Sequence, residues 1–113
     1  MHEIIIPAWH PLKLNELMPA HWSKRTRMKQ SDYALIAHYG RHVPKATTKR
    51  LVQLTIVLGK GQRAGDPDSY NKVLLDGLVA AGLLKDDNRQ GCELAPVQFE
   101  RGEKATIIKL VDI

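Results

Sequence analysis

The chain has 113 residues, 43% hydrophobic and 26% charged, with a formal net charge of +5. This is the profile of one small globular domain, and no apolar run nears the ~20 residues of a membrane span, so no membrane partner is expected. Cys92 is the single cysteine, which excludes an internal disulfide and predicts a reducing cytoplasm, and no Cys/His spacing resembles a zinc site.

The start, MHEIIIPAW, lacks the basic region and the apolar length of a secretory signal. Within it, residues 2–7 are short, β-branched and stopped by proline, which predicts a buried strand. Residues 11–19 show no clean period and read as loop. Residues 22–39 fit a helix: Ser23 is a candidate cap, and Met28, Leu35, Ile36 and Tyr39 fall near one face. Lys24, Arg25, Arg27 and Lys29 crowd its first turns, a placement that opposes the helix dipole and is tolerated where an anion binds nearby. A polar, basic loop (40–49) leads to LVQLTIVL (51–58), nearly continuous apolar sequence that predicts a central strand. GKGQRAG (59–65) is a flexible basic connection. A second helix is expected from Pro67 or Asp68 to about Ala81, with Leu74, Leu75, Leu78 and Val79 on its apolar face and Gly82 at its end. Two strand-like runs, 94–99 and 105–111, flank ERGEK, which suits a hairpin turn. The order β-α-β-α-β-β predicts a single α/β (α+β) domain over residues 1–113: a four-stranded mixed sheet with two helices packed on one face.

Charge is unevenly distributed, with a balance of +8 over residues 1–65 and −3 over residues 66–113. The basic half points to nucleic acid, to an anionic membrane or to solubility alone. The acidic half opens with GDPDSYNKVLLDGLVAAGLLKDDN (65–88). Asp66 and Asp68 share one side of the chain if it is extended before the helix. Lys72 lies one helical turn after Asp68 and shares that side. A turn near Gly82 frees Asp86 and Asp87 to return toward the helix start. Carboxylates packed together without a cation repel one another, and a hard divalent ion, Mg²⁺ or Mn²⁺, removes the conflict. Such a site can hydrolyse a phosphodiester, a neighbouring lysine offsetting charge in the transition state or orienting the water. Each piece also has a plain structural reading: a cap at Asp-Pro-Asp, a surface pair at Asp68–Lys72, and a solvated turn at Asp86-Asp87-Asn88.

At these residues the sequence resembles the RusA family of Holliday-junction resolvases, small phage-associated endonucleases. The family pattern is Asp-x-Asp, a lysine one turn into the helix, Leu-Asp-x-Leu, a glycine and a closing Asp-Asp. Here Asp66-Pro67-Asp68, Lys72, Leu75-Asp76-Gly77-Leu78, Gly82 and Asp86-Asp87 stand in the same order and spacing. Upstream, Leu14-Asn15 and His21-Trp22-Ser23-Lys24 are similar to an Asn…His-Trp segment of the family. The resemblance implies that Asp66, Asp68 and Asp87 bind Mg²⁺ or Mn²⁺ and that Lys72 acts in catalysis without ligating the metal. It further implies a homodimer that makes paired nicks in four-way DNA junctions during recombination and repair. It places the protein in a bacterial cytoplasm, phage or prophage encoded, with no small-molecule cofactor. Ser69 stands where many members have Asn. Ser69, Asp76 and Asp86 are therefore supporting candidates beside the ligands.

The candidate phosphate contacts are Asn15, Lys24, Arg25, Arg27, Lys60 and Arg63, of which Lys60 and Arg63 immediately precede the acidic stretch. Lys29, Arg41, Lys45, Lys49 and Arg50 complete the basic pool. Trp22 is expected to pack under its helix, with stacking on an exposed base as the alternative. Cys92 is read as a small strand residue. Two other functions share these features: a non-catalytic module that binds branched DNA, and a nuclease of the same chemistry acting on flaps or forks.

Overall fold

Strands form where buried side chains recur at every second position, and three long strands do so here. The structure, a computed structural model, describes every residue except Leu14, Asn15, Leu17, Met18 and Ala20. Strand β1 (His2–Pro7) buries Ile4 and Ile6, β2 (Arg50–Leu58) buries Val52, Leu54, Ile56 and Leu58, and β5 (Ala105–Asp112) buries Thr106, Ile108 and Leu110. The pairing register sets these residues side by side: Ile4 faces Ile108, and Ile108 faces Leu54. One face of the sheet is thus a continuous apolar surface. Full burial of each such aliphatic side chain is worth roughly 1.5–3 kcal/mol.

Helix α1 (Trp22–Tyr39) and helix α2 (Asn71–Ala80) cover that face. Ile36 from α1 and Val73, Leu74, Leu75 and Leu78 from α2 supply the opposing core. Gly77 sets how closely the helices approach, because a Cβ there would stand 2.5 Å from Ile36 Cδ1 and 3.1 Å from Tyr33 Cδ1. Gly82, at φ +76°, ends the second helix where a side chain would be strained. The first helix is capped by His21, whose Nδ1 accepts the Ser23 N–H at 3.4 Å, so Ser23 lies inside the first turn and is not the cap. No helix of the described residues is long and apolar enough to cross a membrane.

The sheet is mixed and runs β1-β5-β2, with β3 (Cys92–Leu94) and β4 (Gln98–Arg101) both parallel to β2 on its far edge. The expected third strand, 94–99, is therefore two short ones. Leu94 pairs with Val52 and Gln98 with Thr55, so residues 95–97 oppose only residues 53–54. One extra residue is accommodated on the edge strand, as in a β-bulge. Pro96, at the centre of the break, has no N–H to offer the ladder.

The expected terminal hairpin is absent. Strands β4 and β5 flank β2 on opposite edges and are not partners. The apolar β2 takes neighbours on both sides, so residues 102–104 step across its end. There Gly102 N–H donates to Leu58 O at 3.0 Å, and Ala8 N–H donates to Lys104 O at 2.7 Å. At the other end Arg50 is buried and ties three segments together: its Nε donates to Asp112 Oδ1 at 2.8 Å and its Nη1 to Leu83 O at 3.0 Å. The hydrogen bond from Arg50 holds the Asp112 carboxyl below the usual carboxylate range.

Candidate active site

The acidic segment enters through a 3₁₀ turn, Pro67–Tyr70, that leads directly into α2. Asp66 is extended and caps this turn, its Oδ1 accepting the Asp68 N–H at 3.1 Å. Its carbonyl accepts from Ser69 through both Oγ (2.7 Å) and N–H (3.0 Å). The extended geometry expected for Asp66 and Asp68 thus holds for Asp66 alone. Pro67 fixes a φ suited to a helical first turn and winds Asp68 into it. Ser69 supports the backbone of Asp66 and not a carboxylate. Tyr70 anchors the turn: its hydroxyl accepts the Gly65 N–H at 3.2 Å, and its buried ring meets Phe99 of β4 edge-on at 5.8 Å. Sequence reasoning passed over Tyr70 and Phe99. The one signal was an aromatic residue buried in an otherwise polar capping sequence.

From the first turn of α2, Lys72 reaches Asp76 Oδ1 at 3.4 Å and Asp87 Oδ2 at 3.9 Å. Asp87 is thereby brought back to the start of the helix it follows. Asp76 is the least exposed of the three side chains, at 23%. Burial, then the charges of Asp76 and Asp32, push the Tyr33 phenol up.

The loop that returns Asp87 is held by its own polar side chains. Asp86 accepts from the Asp87 N–H at 2.7 Å and from Asn88 Nδ2 at 3.2 Å. Asn88 Oδ1 accepts from Gln90 N–H at 3.0 Å and Gly91 N–H at 3.2 Å. Asp86 is therefore engaged in the turn, while Asp87 projects toward Lys72. Gly91 lets the loop close, because a Cβ there would collide with the Asp86 backbone.

Asp68 lines a crevice with Asn71 and residues 94–97, and Asp87 lines another with Lys49, Cys92 and Leu94. The two aspartates thus flank Leu94, which is 46% exposed beside the edge-strand break. Among the described residues, no three His, Cys, Asp or Glu side chains are gathered closely enough to hold a metal ion. The donor chemistry nonetheless suits a hard divalent cation: Asp66, Asp68 and Asp87 offer exposed carboxylate oxygens. The Lys72–Asp87 pair is open to solvent, at 56% and 40% exposure, and such pairs contribute about 0–1 kcal/mol. Asp87 is therefore easily released to another cation. The Cys92 thiol beside it is buried at the start of β3 and pushed up first by that burial, then by Asp87, which disfavours the reactive thiolate.

The basic pool divides. Arg50 is a buried structural residue, Lys49 pairs with Glu93 at 3.0 Å, Arg41 closes the end of α1 on His38 O at 2.6 Å, and Lys45 donates to Ala81 O at 2.6 Å. These four serve the fold. Lys24, Arg27, Lys60 and Arg63 are exposed and carry no ion pair with another described side chain, whereas Arg25 is half-buried and engaged. Asn15 lies outside the described residues. Trp22 is 71% exposed, against the expectation that it packs under its helix. The exposed indole lies beside His21, with ring centroids 5.7 Å apart.

No family model matches the chain, and no curated protein matches it.

Proposed function

We propose that the protein is a metal-dependent, structure-selective endodeoxyribonuclease of the RusA type that resolves four-way DNA junctions by paired nicks. The single observation that carries this reading is the approach of Asp87 to Lys72. It brings Asp87 back to the first turn of the helix that follows Asp66 and Asp68, which supports the arrangement that the sequence resemblance implies without gathering the three carboxylates. Asp66, Asp68 and Asp87 would hold Mg²⁺ or Mn²⁺. When bound, such an ion supplies Lewis acidity toward a phosphodiester. Lys72 places an ammonium beside the reacting phosphate, where it offsets developing negative charge. Asp76 holds Lys72 in position from the same helix, and the Asp86 turn fixes the direction of Asp87.

Lys24, Arg27, Lys60 and Arg63, exposed and without an ion pair among the described residues, and the exposed Trp22 supply phosphate contacts and a stacking surface. Two related cuts require two sites, and a two-fold dimer provides them. The sheet face away from the helices supports such a contact: Ile5 is 50% exposed there, with Leu51, Ile107 and Val111 partly exposed. In that face Glu3 and Lys109 are cross-strand neighbours.

The test is cleavage of a synthetic four-way junction with and without Mg²⁺ or Mn²⁺. Paired cuts are expected with metal, and Asp68→Asn and Asp87→Asn should abolish cutting while junction binding persists. Undiminished cutting by either variant would remove the site assignment. The alternative of a non-catalytic branched-DNA binder draws on the ungathered carboxylates. It requires metal-independent binding with no cleavage of any junction, flap or fork.

A further inference from the structure

A second concave site lies beyond Asp66, at the end of β2, and none of the proposed catalytic groups lines it. It is a cavity of about 380 Å³ bounded by Trp9, Lys13, Gln62, Arg63, Tyr70 and Lys104. That volume falls within the ~300–1,000 Å³ typical of small-ligand sites. Three cations line it against a single carboxylate, Glu16, which pairs with Lys13 at 3.3 Å. Arg63 and Lys104 are exposed and without an ion pair among the described residues.

The walls are cross-braced. The segment after β1 is fixed by His10 Nε2, which donates to Val57 O at 2.8 Å, and by Thr106 Oγ1, which donates to Trp9 O at 2.7 Å. Asp32 of α1 holds the same segment, accepting from Leu12 N–H at 2.8 Å and Trp9 Nε1 at 3.4 Å. The loop after β2 is fixed by Gln62, whose Oε1 accepts Gly59 N–H at 2.7 Å and whose carbonyl accepts from Arg101 Nη1 at 2.5 Å. The Lys104 carbonyl is fixed by Ala8. The cavity is therefore preformed, and its cations need no large rearrangement to meet an anion.

Its position identifies the occupant. Lys13 lies over the Tyr70 ring at 5.9 Å and against Gly65, the residue before Asp66. The cavity thus borders the acidic site through one turn of chain. It offers an indole and the apolar Leu58 and Pro11 beside its cations. We propose that this cavity seats one unpaired nucleotide of a DNA strand whose neighbouring phosphate lies at the acidic site, with Arg63 and Lys104 on the nucleotide phosphate and Trp9 beside the base. Duplex bases are stacked and cannot enter such a cavity, so the pocket selects strand openings of the kind found at branch points. The inference rests on the nuclease reading only for the identity of the strand.

The experiment uses the Trp22→Phe protein without divalent metal, so that Trp9 is the only tryptophan of the two in the chain. A single-stranded oligodeoxynucleotide should change Trp9 emission, whereas a blunt duplex, inorganic phosphate and free deoxycytidine monophosphate should do so only at far higher concentration. Replacing Arg63 and Lys104 together by Gln should weaken single-strand binding at least roughly tenfold and flatten the log–log salt slope by about 0.7, the value for the one phosphate they share. The charge-preserving pair Arg63→Lys and Lys104→Arg should restore both. An unchanged Trp9 signal, equal response to duplex, equally tight free nucleotide, or full affinity in the Gln pair would each overturn the proposal. Junction cleavage is scored separately: its absence with a positive Trp9 response defeats the nuclease reading and leaves the pocket standing.

Discussion

Gly91→Ala tests whether the acidic loop is a fitted part of the fold. A Cβ at Gly91 would overlap Asp86 N and O and stand 2.7 Å from Asp86 C. These are backbone atoms, so no rotamer change relieves the clash. Restoring an ordinary contact of about 3.4 Å to the nearest of these atoms moves the Asp86 backbone by roughly 1 Å. That shift strains the turn closed by Asp86 and Asn88 and loosens the Arg50 N–H to Gly91 O bond of 3.2 Å at the head of β2. Overpacking of this kind costs about 1–3 kcal/mol, and the backbone contact argues for the upper half of the range. For a domain near this size each kcal/mol lowers Tm by ~4–8 °C, so a fall of roughly 8–24 °C is expected. Urea unfolding measures the free energy directly. Gly102→Ala is the control, since its Cβ would meet only Val57 Cγ1 at 3.4 Å. The functional arm is junction cleavage, which should fall even at temperatures where Gly91→Ala is fully folded, because Asp87 moves with the loop. A variant with the parental unfolding midpoint and parental cleavage would refute the reasoning.

Gly77→Val should lower stability by about 2–3 kcal/mol, because the added bulk meets the fully buried Ile36 and the half-buried Tyr33 between the helices; an unchanged urea midpoint would show that the helices separate freely. Burial raises the Asp32 pKa, so the native state keeps this proton at a pH where the unfolded chain has released it. The contribution to stability is full below the unfolded value and is lost as pH rises through the native one. Asp32→Asn should remove that decline, flattening the stability–pH profile above pH ~4. A profile identical to the parent's would exclude the assignment. Trp22→Ala should leave stability within about 0.5 kcal/mol, since the indole is 71% exposed. It should weaken binding to branched DNA by the ~1–3 kcal/mol typical of a stacked base, and unchanged affinity would leave the exposed indole without a binding role.

The long strands were legible because short β-branched and near-continuous apolar runs are written locally, as in HEIIIP and LVQLTIVL. The arrangement of the last strands was not. ERGEK has the composition of a hairpin turn, yet whether β4 pairs with β5 or with β2 is decided by the need of β2 for two neighbours, a tertiary fact. The edge-strand break left a single trace, Pro96. Trp22 was misplaced because the helix period identifies a face but not how far the partner surface extends along it. The basic residues show the same limit. Arg50 and Arg63 look alike in sequence, but one is buried against Asp112, 62 positions away, and the other stands exposed beside a cavity. Charge composition predicts a basic surface; it does not say which cations the fold has already engaged.

The acidic segment combines a stiff frame with loosely held donors, and the two properties belong together. Tyr70 against Phe99, Ser69 on the Asp66 carbonyl, Asn88 across its turn and Gly91 against Asp86 fix the backbone around the aspartates. Asp87 meets only an exposed ammonium at 3.9 Å, an interaction of about 0–1 kcal/mol. Like-charged carboxylates on a rigid frame repel at short range unless a cation lies among them. A frame that brings Asp87 back to Lys72 but holds it only weakly leaves the carboxylate free to rotate, as the proposed cation site requires. Stability and ligand affinity are then separable: Asp87→Asn gives up a weak surface pair and should hardly move Tm, whereas Gly91→Ala damages the frame and should move both. A large loss of stability in Asp87→Asn would mean that the aspartate is part of the scaffold, and the carboxylates would lose their claim to a cation.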